Sequence, residues 1–157
     1  TIEPIIHDAI VKPQANQAIT DKILAQEKSI DATNESTTEV KANAKQRVQT
    51  EKTTDDAAID TAHTNAEVEA AKNAEIAKIE AIQPATTTKD NAKEAMATKA
   101  NERKTAIAQT QDITAEEIAA ANADVDNAVT QANSNIEAAN SQNDVDQAKT
   151  TGETSID

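Results

Sequence analysis

Residues Thr114–Ala139, TAEEIAAANADVDNAVTQANSNIEAA, decide how the chain is read. Thr114 stands three residues before Glu117, the spacing of a capping box, in which each side chain satisfies a free N–H of the helix's first turn. Ile118, Ala121, Val125, Ala128, Ala132, Ile136 and Ala139 then recur at steps of three and four. That is one apolar stripe of an amphipathic helix, with Asn, Asp, Gln and Glu on the remaining faces. The stripe is narrow and mostly alanine. Such a helix is not stable alone and has to lie close against partners.

The partners are sequence neighbours, because the arrangement occurs twice. Shifted so that Lys12 falls on Lys89, the chain matches itself without gaps at 21 of 80 aligned pairs. In the same register Ala15, Ala18, Lys22 and Ile30 fall on Ala92, Ala95, Lys99 and Ile107. Ile59, Ala62, Val68, Ala71 and Lys72 fall on Ile136, Ala139, Val145, Ala148 and Lys149. Aliphatic positions in register at a long fixed period mark a tandem repeat.

Residues 1–5 align with the end of a copy and read as the tail of a preceding repeat. The first three-helix repeat then spans 6–82 and the second 83–157. In the first copy, helix one runs from about Pro13 to Asn34 with Ala15, Ala18, Ile19, Ile23 and Ile30 inward. A turn at Glu35–Thr37 follows, with Ser36 and Glu39 spaced as a capping box. Helix two carries Val40, Ala44, Val48, Ile59 and Ala62. Thr64 and Glu67 cap helix three, whose inward residues are Val68, Ala71, Ile76, Ile79 and Ile82, and Pro84 favours a short break before the next copy. Ser141 and Asp144 repeat the third cap. The expectation is all-α: two tandem antiparallel three-helix bundles in series, elongated.

Composition agrees. The chain has 33 Ala against 16 Ile, 7 Val, 1 Leu and 1 Met, with no aromatic residue, no Cys and one Gly. Leu, Ile, Val and Phe total 24 of 157 residues, a level at which disorder would be suspected. Alanine's helix propensity, and the near absence of Gly and Pro, argue instead for helices around a thin core. A disordered protectant chain would show short repeats rather than one long period with capped helices. Copy one has Glu51, Lys52 and Asp55 where copy two has Ala128, Val129 and Ala132, so the first copy is expected to have the looser waist and lower melting point. In copy two, Gly152 inside helix three is expected to cost about 1 kcal/mol relative to alanine.

The net charge of −13 is spread along the whole chain. It repels phosphate backbones and anionic lipid head groups, so no nucleic acid or membrane partner is expected. No signal peptide and no apolar run near the roughly 20 residues of a membrane span is present, and the chain reads as a fragment of something longer.

Candidate chemistry is sparse. His7 and His63 align with Pro84 and Asn140, and no paired-ligand spacing surrounds either. Asp55/Asp56, Asp124/Asp126 and Asp144/Asp146 lack the glycine turn of a calcium loop and read as solvated acidic faces. No base accompanies the many Ser and Thr residues, and no GxSxG elbow exists. The expectation is no enzyme, no cofactor, no metal, and no catalytic or cofactor-binding residue. A helical binding module for a host plasma or matrix protein is the competing reading. Hot spots favour Trp, Tyr and Arg, and the chain offers only Arg47 and Arg103.

Thr-x-x-Glu opens an Ala-rich helix that ends in Ile136-Glu137-Ala138-Ala139, followed by Val145-Asp146-Gln147-Ala148-Lys149. Copy one has Ile59-Asp60-Thr61-Ala62 and Val68-Glu69-Ala70-Ala71-Lys72. Over nearly all of both copies the chain resembles the domain of unknown function numbered fifteen forty-two. That repeat forms long tandem arrays in cell-wall-anchored surface proteins of staphylococci and related Gram-positive bacteria. The resemblance implies an extracellular stalk that holds a distal adhesive domain off the cell wall, in proteins of adhesion, aggregation and biofilm formation. It implies no catalytic residue. The expected partners are neighbouring repeats, with weak like-to-like contacts or a host protein besides, on a chain monomeric in solution.

Overall fold

The computed structural model describes the backbone of residues 7–157 and their side chains except those of residues 7 and 54–56. Among these residues six α-helices follow a π-helical turn at His7–Val11: α1 Lys12–Asp31, α2 Thr38–Thr61, α3 Asn65–Ala81, α4 Thr87–Ala108, α5 Ala115–Ala138 and α6 Gln142–Ile156. The widened turn sits just before Pro13, whose ring and missing N–H do not suit an ordinary α-turn behind it. Residues 1–5, the expected tail of a preceding repeat, lie outside the described residues.

Two compact units result. One holds the chain up to Thr33 together with Val40–Pro84; the other holds Asn34–Glu39 with Ala85–Asp157. In each, three helices run up, down and up around a core of Ile, Val and Ala. Ala15, Ile19, Ile23 and Ile30 of α1, Ala44, Val48 and Ile59 of α2, and Val68 and Ile79 of α3 close the first core, with Ala62 and Ile82 just beyond their helices. Ala92, Met96, Ala100 and Ile107 of α4, Val125, Ala132 and Ile136 of α5, and Val145 and Ile156 of α6 close the second, with Ala139 past the end of α5. Ile118, Ala121 and Ala128 pack against it partly buried, so the whole stripe of the opening stretch faces inward. The only leucine, Leu24, takes no part and is 61% exposed.

Three of the four expected caps form. Thr64, Ser141 and Thr114 each accept a backbone N–H three residues on, and Glu67, Asp144 and Glu117 return the bond. The Ser36–Glu39 box does not form. Helix α1 ends at Asp31, three residues earlier than expected, and α2 starts at Thr38, so the residue three beyond the cap position Thr37 is Val40, which has no oxygen to return. Ser36 and Glu39 are engaged elsewhere. Helix α3 ends at Ala81 and α4 begins at Thr87, with Pro84 in the non-helical stretch between them.

Two positions correct the reading of the helix faces. The inward slot of α3 belongs to Glu75, 1% exposed, while Ile76 is only partly buried. Gly152 is buried, and a Cβ there would lie 2.6 Å from both the Ala132 Cβ and the Met96 Sδ. Glycine is what allows α6 to approach α4 and α5 this closely, so it is not the weak point that helix propensity makes of it.

Candidate functional site

The same device closes one end of both bundles. A lysine in the first turn of the first helix reaches the last turn of the second helix, whose carbonyls have no intrahelical partner. In the first unit, the Lys12 Nζ donates to the Asp60 carbonyl at 2.7 Å; in the second, the Lys89 Nζ donates to the Glu137 carbonyl at 2.7 Å. The register that sets Lys12 on Lys89 also sets Asp60 on Glu137. A second matched pair holds the middle of the first helix against the end of the third: Lys22 with Glu80, and Lys99 with Asp157 at 2.6 Å. The Asp157 carboxylate raises the Lys99 amine above its ordinary pKa by hydrogen bonding.

The two lysine ends differ in what covers them. Lys89 is 2% exposed, because the segment Asn34–Glu39 lies over it in the second unit. Its amine also donates to the Asn34 carbonyl at 2.8 Å. The Ser36 hydroxyl donates to the Ala85 carbonyl at 2.8 Å. Thr38 gives both its backbone N–H, at 2.7 Å, and its hydroxyl, at 2.9 Å, to the Asn140 carbonyl. The Gln142 N–H, an orphan donor at the start of α6, donates to the Glu39 carboxylate at 3.2 Å. That carboxylate is held below the ordinary glutamate pKa, first by its own backbone N–H. Around Lys12 the side chain keeps 15% of its surface open and forms an ion pair with Asp8 at 2.9 Å.

Among the described residues, those singled out in the sequence do not gather into a reaction centre. His63 lies exposed before α3, where its backbone N–H donates to Glu67 at 2.6 Å and holds that carboxylate below its ordinary pKa. The side chains of His7, Asp55 and Asp56 lie outside the described residues. Asp126 pairs with Lys104 at 2.5 Å, whereas Asp124 is exposed. Asp144 caps α6, and Asp146 accepts from Gln142 at 3.0 Å. Among the described residues no three His, Asp or Glu side chains converge as metal ligands, and no helix is long and apolar enough to cross a membrane. Open grooves run along helix faces, such as that lined by Thr98, Asn101, Glu102 and Thr105.

The sequence matches one family over two tandem segments, residues 11–87 and 88–157, described as Domain of Unknown Function (DUF1542). The chain belongs to the DUF1542 family. The step from the start of one segment to the start of the next is the step from Lys12 to Lys89, so the family's period is also that of the lysine staple and of both cores. Comparison with curated proteins and with solved structures returns no match. Sequence reading aligned Lys12 with Lys89 but assigned neither a role. The signal was there: two identical lysines at the start of a helix, where acidic residues are the favourable choice.

Proposed function

We propose that these DUF1542 repeats are a structural spacer in a bacterial cell-surface protein, projecting a distal adhesive domain from the cell wall. The observation that carries the reading is the pair of cores built on one pattern, closed by matched lysines and capping boxes. Units that contact mainly their neighbours can be added or removed without redesign, which suits a chain whose function is length. A helix of 24 residues such as α5 is about 36 Å long, so each repeat adds a few nanometres of reach. A charge of −13 keeps neighbouring stalks soluble and mutually repelling.

Small-angle X-ray scattering on the 157-residue chain tests the spacer. An elongated folded particle is the expected result, and a compact globule overturns it. A screen of the immobilised chain against plasma and matrix proteins tests the same reading from the other side. The spacer predicts no saturable binding, and submicromolar affinity for any one of them replaces it with a binding module.

A further inference from the structure

We propose that Glu75 makes the first unit a pH-responsive one, which binds a proton as it folds and tightens as the medium turns from neutral to mildly acidic. Glu75 lies within α3 and is 1% exposed, and neither carboxyl oxygen has a hydrogen-bond partner among the described residues. An ionised carboxylate in that position loses its hydration and gains nothing in exchange, so burial favours the neutral acid. On the same helix Val68 and Ile79 are buried with it. What faces it across the bundle follows from the repeat. In the second unit the same place is Gly152, whose neighbours are Met96 and Ala132. The register that sets Glu75 on Gly152 sets Ile19 of α1 on Met96 and Asp55 of α2 on Ala132. One helix thus offers an aliphatic residue there, and the other a second acidic one.

Among the described residues, the other charged groups of the three helices do not compensate it. On α1, Lys12 is held by Asp8 and the Asp60 carbonyl, Lys22 by Glu80, and Asp21 accepts from Gln17. On α3, Lys72 pairs with Glu69 at 2.7 Å, and Lys78 is exposed. One turn from Asp55 on α2, Glu51 and Lys52 are half-buried and opposite in sign, so together they bring no net charge. A group that favours its protonated form when folded adds stability below its unfolded pKa, about 4.3 for glutamate. That contribution is lost as pH rises through the higher folded value. The first unit is therefore firmer at mildly acidic pH than at neutral pH. The hydrogen-bonded carboxylates run the opposite way. Glu67 in this unit, and Glu39, Glu117 and Glu137 in the second, are held below the ordinary value, so their contributions persist through mild acid and are lost only at lower pH. The second unit, with Gly152 in place of the carboxyl, is the reference within the same molecule. The device does not rest on the spacer reading.

Calorimetry of the 157-residue chain between about pH 7 and pH 5 tests it, an interval set by the ordinary glutamate value and its rise on burial. The transition of the first unit should rise by about 5 °C on acidification, the shift that goes with a roughly tenfold gain in its folded-to-unfolded ratio. The transition of the second unit should not rise. Glu75→Gln keeps the shape of the protonated acid and cannot ionise, so its first transition should stay where it is across the interval. Histidine is the ordinary titrating side chain of this range, and both His7 and His63 are retained in that variant. Carbon-13 spectra of the native chain read the proton directly and need no variant to fold. The Glu75 carboxyl should titrate clearly above the other glutamates. A rise of the same size in the native chain and in Glu75→Gln, or a Glu75 carboxyl that titrates with the other glutamates, overturns the proposal.

Discussion

Glu75 and Gly152 occupy the same place in the two repeats and fill it in opposite ways. Glu75 brings a carboxyl into the first core, where neither oxygen has a hydrogen-bond partner among the described residues. Burying such a group without a partner is costly. Replacing it by an apolar side chain of similar size, Glu75→Leu, should therefore stabilise the chain by about 1–3 kcal/mol in thermal or urea melts. At Gly152 the expectation runs against helix propensity. Alanine would gain about 1 kcal/mol as a helix former. Its Cβ would however meet the Ala132 Cβ and the Met96 Sδ at 2.6 Å. The methionine end can move, but the alanine Cβ is fixed to its backbone. Overpacking of this kind costs about 1–3 kcal/mol, so Gly152→Ala should lower the stability despite its better propensity, and a melt above that of the native chain would refute the packing argument.

Helix starts are set by local chemistry that can be tested locally. Thr114→Ala removes the acceptor for the Glu117 N–H and should cost about 1 kcal/mol. Glu117 returns its bond to the Thr114 N–H at 2.8 Å, and that bond holds its carboxyl below the ordinary glutamate pKa. A group whose folded-state pKa is lowered contributes stability above its unfolded value, and that contribution disappears as pH falls through the folded one. The stability deficit of Glu117→Ala should thus be full at pH 7 and shrink below about pH 4. A deficit constant down to pH 3 would mean that the carboxylate contributes nothing through its charge. The caps at Thr64, Thr114 and Ser141 were legible because a capping box is contained in four consecutive residues. Ser36–Glu39 had the same spelling and failed, since its members are drawn to Ala85 and Gln142, far along the chain.

At the scale of the whole molecule, each unit has its own core, and the first carries the buried Glu75. Calorimetry should resolve the first unit as the lower-melting of two, and Glu75→Leu should raise that transition while leaving the upper one in place. Movement of the upper transition alone would assign the weaker core to the second unit. The sequence by itself determined the helical class, the repeat period and most inward positions, because helix propensity and a stripe at steps of three and four act over neighbouring residues. Only the tertiary structure decided that Glu75 is interior and Ile76 marginal, that Gly152 is required, and that Lys12 and Lys89 staple helix ends. It also placed Asn34–Glu39 in the second unit. Each of these depends on what another helix or loop places opposite a residue, and no spacing within a single helix carries that information.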